Sequence, residues 1–68
     1  MNTQLEQDQL VQAIVKTVSA YTDPEQAEKN LLARMEAEGV QSGTPQALAW
    51  LREMQARTIS TLAGALPV

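Results

Sequence analysis

Two cap-and-proline pairs, Asp23-Pro24 and Thr44-Pro45, constrain this chain more than any other feature. A side-chain oxygen followed by proline is an N-cap followed by a residue whose φ is pre-set for the first helical turn. The residue before proline also avoids helical backbone, so no helix runs through either point. The chain is therefore cut into three segments, and each carries apolar residues at helical spacing.

In the first segment Leu10, Val11, Ile14, Val15, Val18 and Tyr21 fill an arc of roughly 140° at 100° per residue, wide enough to meet two neighbours. Gln12, Lys16 and Ser19 take the opposite side. Thr3, with Glu6 three residues on, reads as a capping box. The second segment has a narrower stripe of Ala27, Leu31, Leu32 and Met35, with Gln26 where a capping box wants Glu or Gln. Gly39 is placed as a left-handed C′ residue, and Val40 is placed to touch Met35, as a Schellman stop requires. In the third segment Leu48, Leu51, Gln55, Thr58, Leu62 and Leu66 share one face, Trp50 sits at its edge, and Pro67 ends the run. This longest helix reads as the surface the two shorter ones share. Glu25 with Lys29, and Glu53 with Arg57, stand in the favourable i, i+4 order.

The expected fold is all-α: one domain over 1–68, a three-helix bundle with helices at about 4–21, 24–38 and 45–63. Residues 1–4 are expected to fray, and 64–68 either fray or fold back onto the core. A domain of 68 residues buries only about 60% of the surface its unfolded chain exposes. Small scaffolds compensate with disulfides, a metal or self-association. With no cysteine and no histidine in the chain, disulfides and thiolate metal sites are ruled out, and the commonest metal ligand and general base are missing. Homodimerisation or a bound partner is the remaining source of stability.

The same inventory excludes a serine-type triad, since no hydroxyl has a histidine to pair with. Glycines occur only at 39, 43 and 64, which is no phosphate loop. Glu25 and Glu28 share a side of the second helix but read as a negative first turn facing the helix dipole. The expectation is a protein that is not an enzyme, with no catalytic residue, no cofactor, no metal and no small-molecule substrate. Eight acidic residues against five basic ones give a net charge of −3, which disfavours an extended phosphate-binding surface. The opening MNTQLEQDQL lacks the basic start and apolar core of a signal peptide, and no run reaches the length of a membrane span. The chain reads as cytoplasmic, with no membrane partner.

Thr3-Gln4-Leu5-Glu6 and Trp50-Leu51-Arg52-Glu53, with Ala56 in a long C-terminal helix, resemble the small helical co-chaperones of type III secretion needle subunits. The resemblance covers these residues only and implies a two-helix hairpin, from which Asp23-Pro24 departs by dividing the first half.

Two broad apolar stripes in so small a chain leave surface for another chain. The leading expectation is therefore a non-enzymatic protein-protein interaction module, such as an adaptor, co-chaperone or inhibitor, that binds another protein or a second copy of itself. Its candidate partner-binding residues are Trp50, Met54, Arg57, Ile59, Val11 and Val15. Trp50 stands out because tryptophan is enriched at interface hot spots, although it could equally close the core rim against the second helix. The alternative is a dimeric helical DNA-binding regulator. Against it, the connection from Glu38 to Pro45 is longer than a helix-turn-helix uses, and basic residues are few.

Overall fold

The computed structural model describes residues 2–65 of the chain. Three helices form: α1 (Thr3–Val18), α2 (Pro24–Ala37) and α3 (Pro45–Ala65). They pack as a small three-helix bundle with α1 against both α2 and α3. Leu66 and Pro67, which the sequence assigns to the end of the last stripe and its stop, lie outside the described residues. The two-helix hairpin implied by the resemblance is not what forms.

The helix boundaries follow from local chemistry. Asn2, not Thr3, is the N-cap of α1; its side-chain oxygen accepts from the Leu5 N–H at 3.1 Å. At the other end α1 stops at Val18, a turn short of the expected Tyr21. The Ser19 hydroxyl donates to the Lys16 carbonyl at 2.8 Å, and the N–H groups of Tyr21 and Thr22 both turn back to the Val18 carbonyl. Serine competes with the backbone for such carbonyls and so favours helix ends over interiors. Tyr21 is left 66% exposed rather than in the apolar stripe.

Asp23 precedes α2 in extended backbone as expected, but its side chain makes no cap bond. Gln26 closes no capping box either: its amide donates to Asn30 Oδ1 at 2.9 Å. The C-terminal stop of α2 is the Schellman motif the sequence calls for. Gly39 takes φ +76°, its N–H donates to the Glu36 carbonyl at 3.0 Å, and the Val40 N–H donates to the Met35 carbonyl at 3.1 Å. Those bonds satisfy two carbonyls that every helix end leaves orphaned. Val40 and Met35 are both buried in the core, which supplies the apolar contact the motif carries. Thr44 caps α3 as read, accepting from the Ala47 N–H at 3.2 Å while its hydroxyl donates to the Gln41 carbonyl at 2.7 Å.

Gln7 sets the direction of the helices. It is 2% exposed and lies in phase with Val11 and Ile14, so α1 carries it inward. Its amide nitrogen donates to Ser42 Oγ at 2.7 Å, and its amide oxygen accepts from the Gly43 N–H at 2.6 Å. The start of α1 is thereby tied to the loop between α2 and α3. It follows that α2 runs antiparallel to α1, and α3 parallel to it. With 21 residues against 16, α3 extends past the C-terminal end of α1.

The core joins Val11, Ile14 and Val15 of α1, Leu31 and Met35 of α2, Val40 of the loop, and Ala47 and Leu51 of α3. Fully buried positions on α3 stop at Leu51; Met54, Gln55, Thr58 and Leu62 are only half-buried. This corrects the expectation that α3 is the shared surface. The wide arc of α1 serves both neighbours, whereas the stripe of α3 turns polar at Gln55 and Thr58. Beyond Leu51, α2 has no continuous apolar surface on α3 to close against.

Candidate partner-binding groove

An open groove of about 360 Å³ separates α2 from α3 near the C-terminal end of α1. Val18 of α1 forms its floor, Arg34 of α2 one wall, and Met54, Arg57, Thr58, Thr61 and Leu62 of α3 the other. No carboxylate is among these lining residues. Thr58 is turned away from service as a free hydroxyl, since it donates to the Met54 carbonyl at 2.8 Å.

Each arginine lies beside an acidic residue on its own helix. Arg34 Nε donates to Glu38 Oε2 at 3.2 Å, and Arg57 donates to Glu53 Oε1 at 2.7 Å. All four side chains are about half or more exposed, so each pair contributes only about 0.3–0.5 kcal/mol and rearranges cheaply. The second pair matches the sequence reading. Glu25 and Lys29 make no ion pair among those present, and Arg34 with Glu38 holds that role on α2 instead.

The six partner-binding candidates do not form one face. Val11 and Val15 are 3% and 5% exposed and belong to the core. Trp50 is half-buried against the core, and its indole N–H donates to Glu38 Oε1 at 3.3 Å. The Glu38 carboxylate thus bridges Trp50 on α3 and Arg34 on α2, just above the groove. Met54 and Arg57 line the groove itself. Ile59, 53% exposed, stands two residues from Arg57, a separation of about 200° around a helix. It lies on the opposite flank of α3 and takes no part in the groove.

Arg34 and Glu38 escaped the sequence reading although their i, i+4 spacing was visible, because Glu25 and Lys29 offered the better order on the same helix. Gln7 escaped because it is polar. The signal that could have found it is its phase, four residues before Val11 on the buried side.

A second open depression, of about 380 Å³, lies on the far side of α2 between Leu32, Met35, Glu36 and the 40–42 loop. Among the described residues no group of three or more metal-ligating side chains comes together, and no buried side-chain nitrogen or oxygen lacks a partner. None of the described helices is long and apolar enough to cross a membrane. Compared with known protein families, with characterised proteins and with solved structures, the chain matches none.

Proposed function

We propose that the protein is a small non-enzymatic interaction module of the adaptor, co-chaperone or inhibitor kind, and that it receives a partner protein in the groove between α2 and α3. The observation that carries this reading is the groove itself. Helix packing joins α1 to both α2 and α3 and is sparse between α2 and α3, where half-buried Val18, Met54 and Leu62 line an open trough. A helix laid along such a trough buries an apolar face against a surface already largely formed. Trp50, at the upper rim with Glu38, is the aromatic anchor of the site.

The basic residues support a DNA-binding role poorly. Arg34 and Arg57 face the groove, while Arg52 lies about 140° round α3 from Arg57. Lys16 is exposed on α1 and Lys29 on α2, about 140° round that helix from Arg34. A phosphate backbone needs such charges on one face.

A photo-reactive amino acid at Thr61, on the groove wall, tests the assignment when compared with one at Gln12, on the outer face of α1. Cross-linking in cells to a discrete partner from Thr61 and not from Gln12 is the expected result. Equal cross-linking from both positions, or from Gln12 alone, would remove the groove as the site.

A further inference from the structure

We infer that a second copy of this chain covers the flank of α3 that faces away from the groove, in an antiparallel two-fold pair of α3 helices centred on Ile59. The groove between α2 and α3 stays open in such a pair, so this inference stands apart from the docking reading given above.

The face is defined by spacing and exposure. Gln55, Ile59 and Leu62 stand at i, i+4 and i+7 on α3, with Ala56 and Ala63 beside them, in an arc of about 120° at 100° per residue. Ile59 is 53% exposed, Ala56 and Ala63 are exposed, and Gln55 and Leu62 are half-buried. From Gln55 to the end of the helix no charged residue falls in this arc. Glu53 and Arg57 lie outside it and pair with each other.

Charge at the two ends of that face names the occupant. α1 carries Glu6 in its first turn and Lys16 in its last, and α2 carries Glu25 and Arg34 in the same places. Both arrangements offset the helix dipole. α3 has no acidic residue in its first turn and no basic residue in its last. Arg52 is exposed at the N-terminal end of the face and makes no ion pair among the described residues. Antiparallel pairing with Ile59 against its own copy sets Gln55 opposite Ala63 of the second copy. It also brings Arg52 to the C-terminal end of the second copy's α3. Each copy thereby supplies the cation that the other's last turn lacks. A two-fold contact sets one patch against itself, and this patch brings no like charges together. Parallel pairing would set Arg52 against Arg52, which repels.

Area agrees with charge. A folded monomer of 7.4 kDa exposes about 4,200 Å², whereas this chain exposes 4810 Å². The excess of about 600 Å² matches one partner's share of an interface at the small end of the specific range, about 1,200 Å² in total. A contact of that size gives a weak dimer, with a dissociation constant on the order of 10–100 μM, and a monomer at lower concentration.

Sedimentation equilibrium of the full chain, from about 5 μM to about 1 mM, reads this directly. A monomer–dimer equilibrium is expected. Ile59→Asp should weaken it at least about tenfold, because two carboxylates then meet at the centre of the pair. Arg52→Glu should weaken it about threefold or more, less so at high salt. Thr61→Gln, on the groove wall, should leave it unchanged, and circular dichroism checks that each variant keeps its helicity. Since the chain has no cysteine, single-cysteine variants report the pairing direction under mild oxidation with diamide. Ile59→Cys should give a covalent dimer. Gln55→Cys alone should not, but Gln55→Cys mixed with Ala63→Cys should.

A monomer at every concentration would overturn the inference, as would a dimer that Ile59→Asp leaves intact. Cross-linking of Gln55→Cys to itself as readily as Ile59→Cys would show parallel helices and overturn it too. None of these results touches the groove, whose assignment falls only with the cross-link from Thr61.

Discussion

The two ends of this bundle are built differently. At the end where α2 turns into α3, the Schellman stop at Gly39, the Thr44 cap and the two bonds from Gln7 satisfy the chain ends. Leu51 and Ala47 are fully buried there. At the other end α1 has stopped at Val18, and α3 continues past it with a stripe interrupted by Gln55 and Thr58. The space between α2 and α3 stays open. One sequence thus spends its apolar residues and its caps on the same half of the molecule. The lesson is that stability and accessibility are separated along the length of the helices, so the open half can fluctuate without unfolding the closed one.

That contrast can be broken most forcefully at the core. For a domain of 68 residues, total stability on the order of 3–10 kcal/mol is expected. Leu51→Ala removes a side chain that is 0% exposed and should cost about 2–5 kcal/mol, enough to unfold much of the population. Leu62→Ala, at the half-buried groove wall, should cost well under half as much. Equal losses in urea melts of the two variants would mean that the two halves are equally packed.

Gln7→Ala comes next. It removes the partner of the half-buried Gly43 N–H and of the exposed Ser42 Oγ, and a part-buried donor left without its partner costs about 1–3 kcal/mol. The outcome is read from the urea midpoint, and Gln7→Glu is a useful companion because it keeps the acceptor and loses the donor.

Two threonines sharpen the comparison because the predicted signs differ. Thr44→Ala deletes the N-cap of α3 and should cost about 1 kcal/mol. Thr58→Ala deletes a hydroxyl that only bonds back to its own helix. Alanine is the better helix former, so this change should be neutral or stabilising by about 0.5 kcal/mol. A thermal melt of each variant decides it, and a loss at Thr58 as large as that at Thr44 would place Thr58 in packing that the structure does not give it.

Much of the closed end was legible in the sequence. Gly39, Val40, Thr44 and Pro45 are local signals, and local signals survive folding. The existence and order of the helices followed from the same punctuation. The open end was less legible because it depends on which helix occupies the middle. That was settled by the width of the α1 arc and by Gln55 and Thr58 in the α3 stripe, and the sequence reading took α3 for the centre. Among the candidate site residues, Met54 and Arg57 meet in the groove with Trp50 above them. Val11 and Val15 were already accounted for by the core arc, and Ile59 fails because a two-residue step turns a helix almost to its opposite side.

The most direct test of the two-ended account is residue-resolved amide hydrogen exchange on the free protein. Protection should be greatest at Val11, Ile14 and Leu51, near the global stability. It should fall sharply along α3 from Thr58 to Leu62, where opening needs no disruption of the core. Uniform protection along α3 from Leu51 to Leu62 would contradict it, because the groove would then be part of a closed, fully packed bundle.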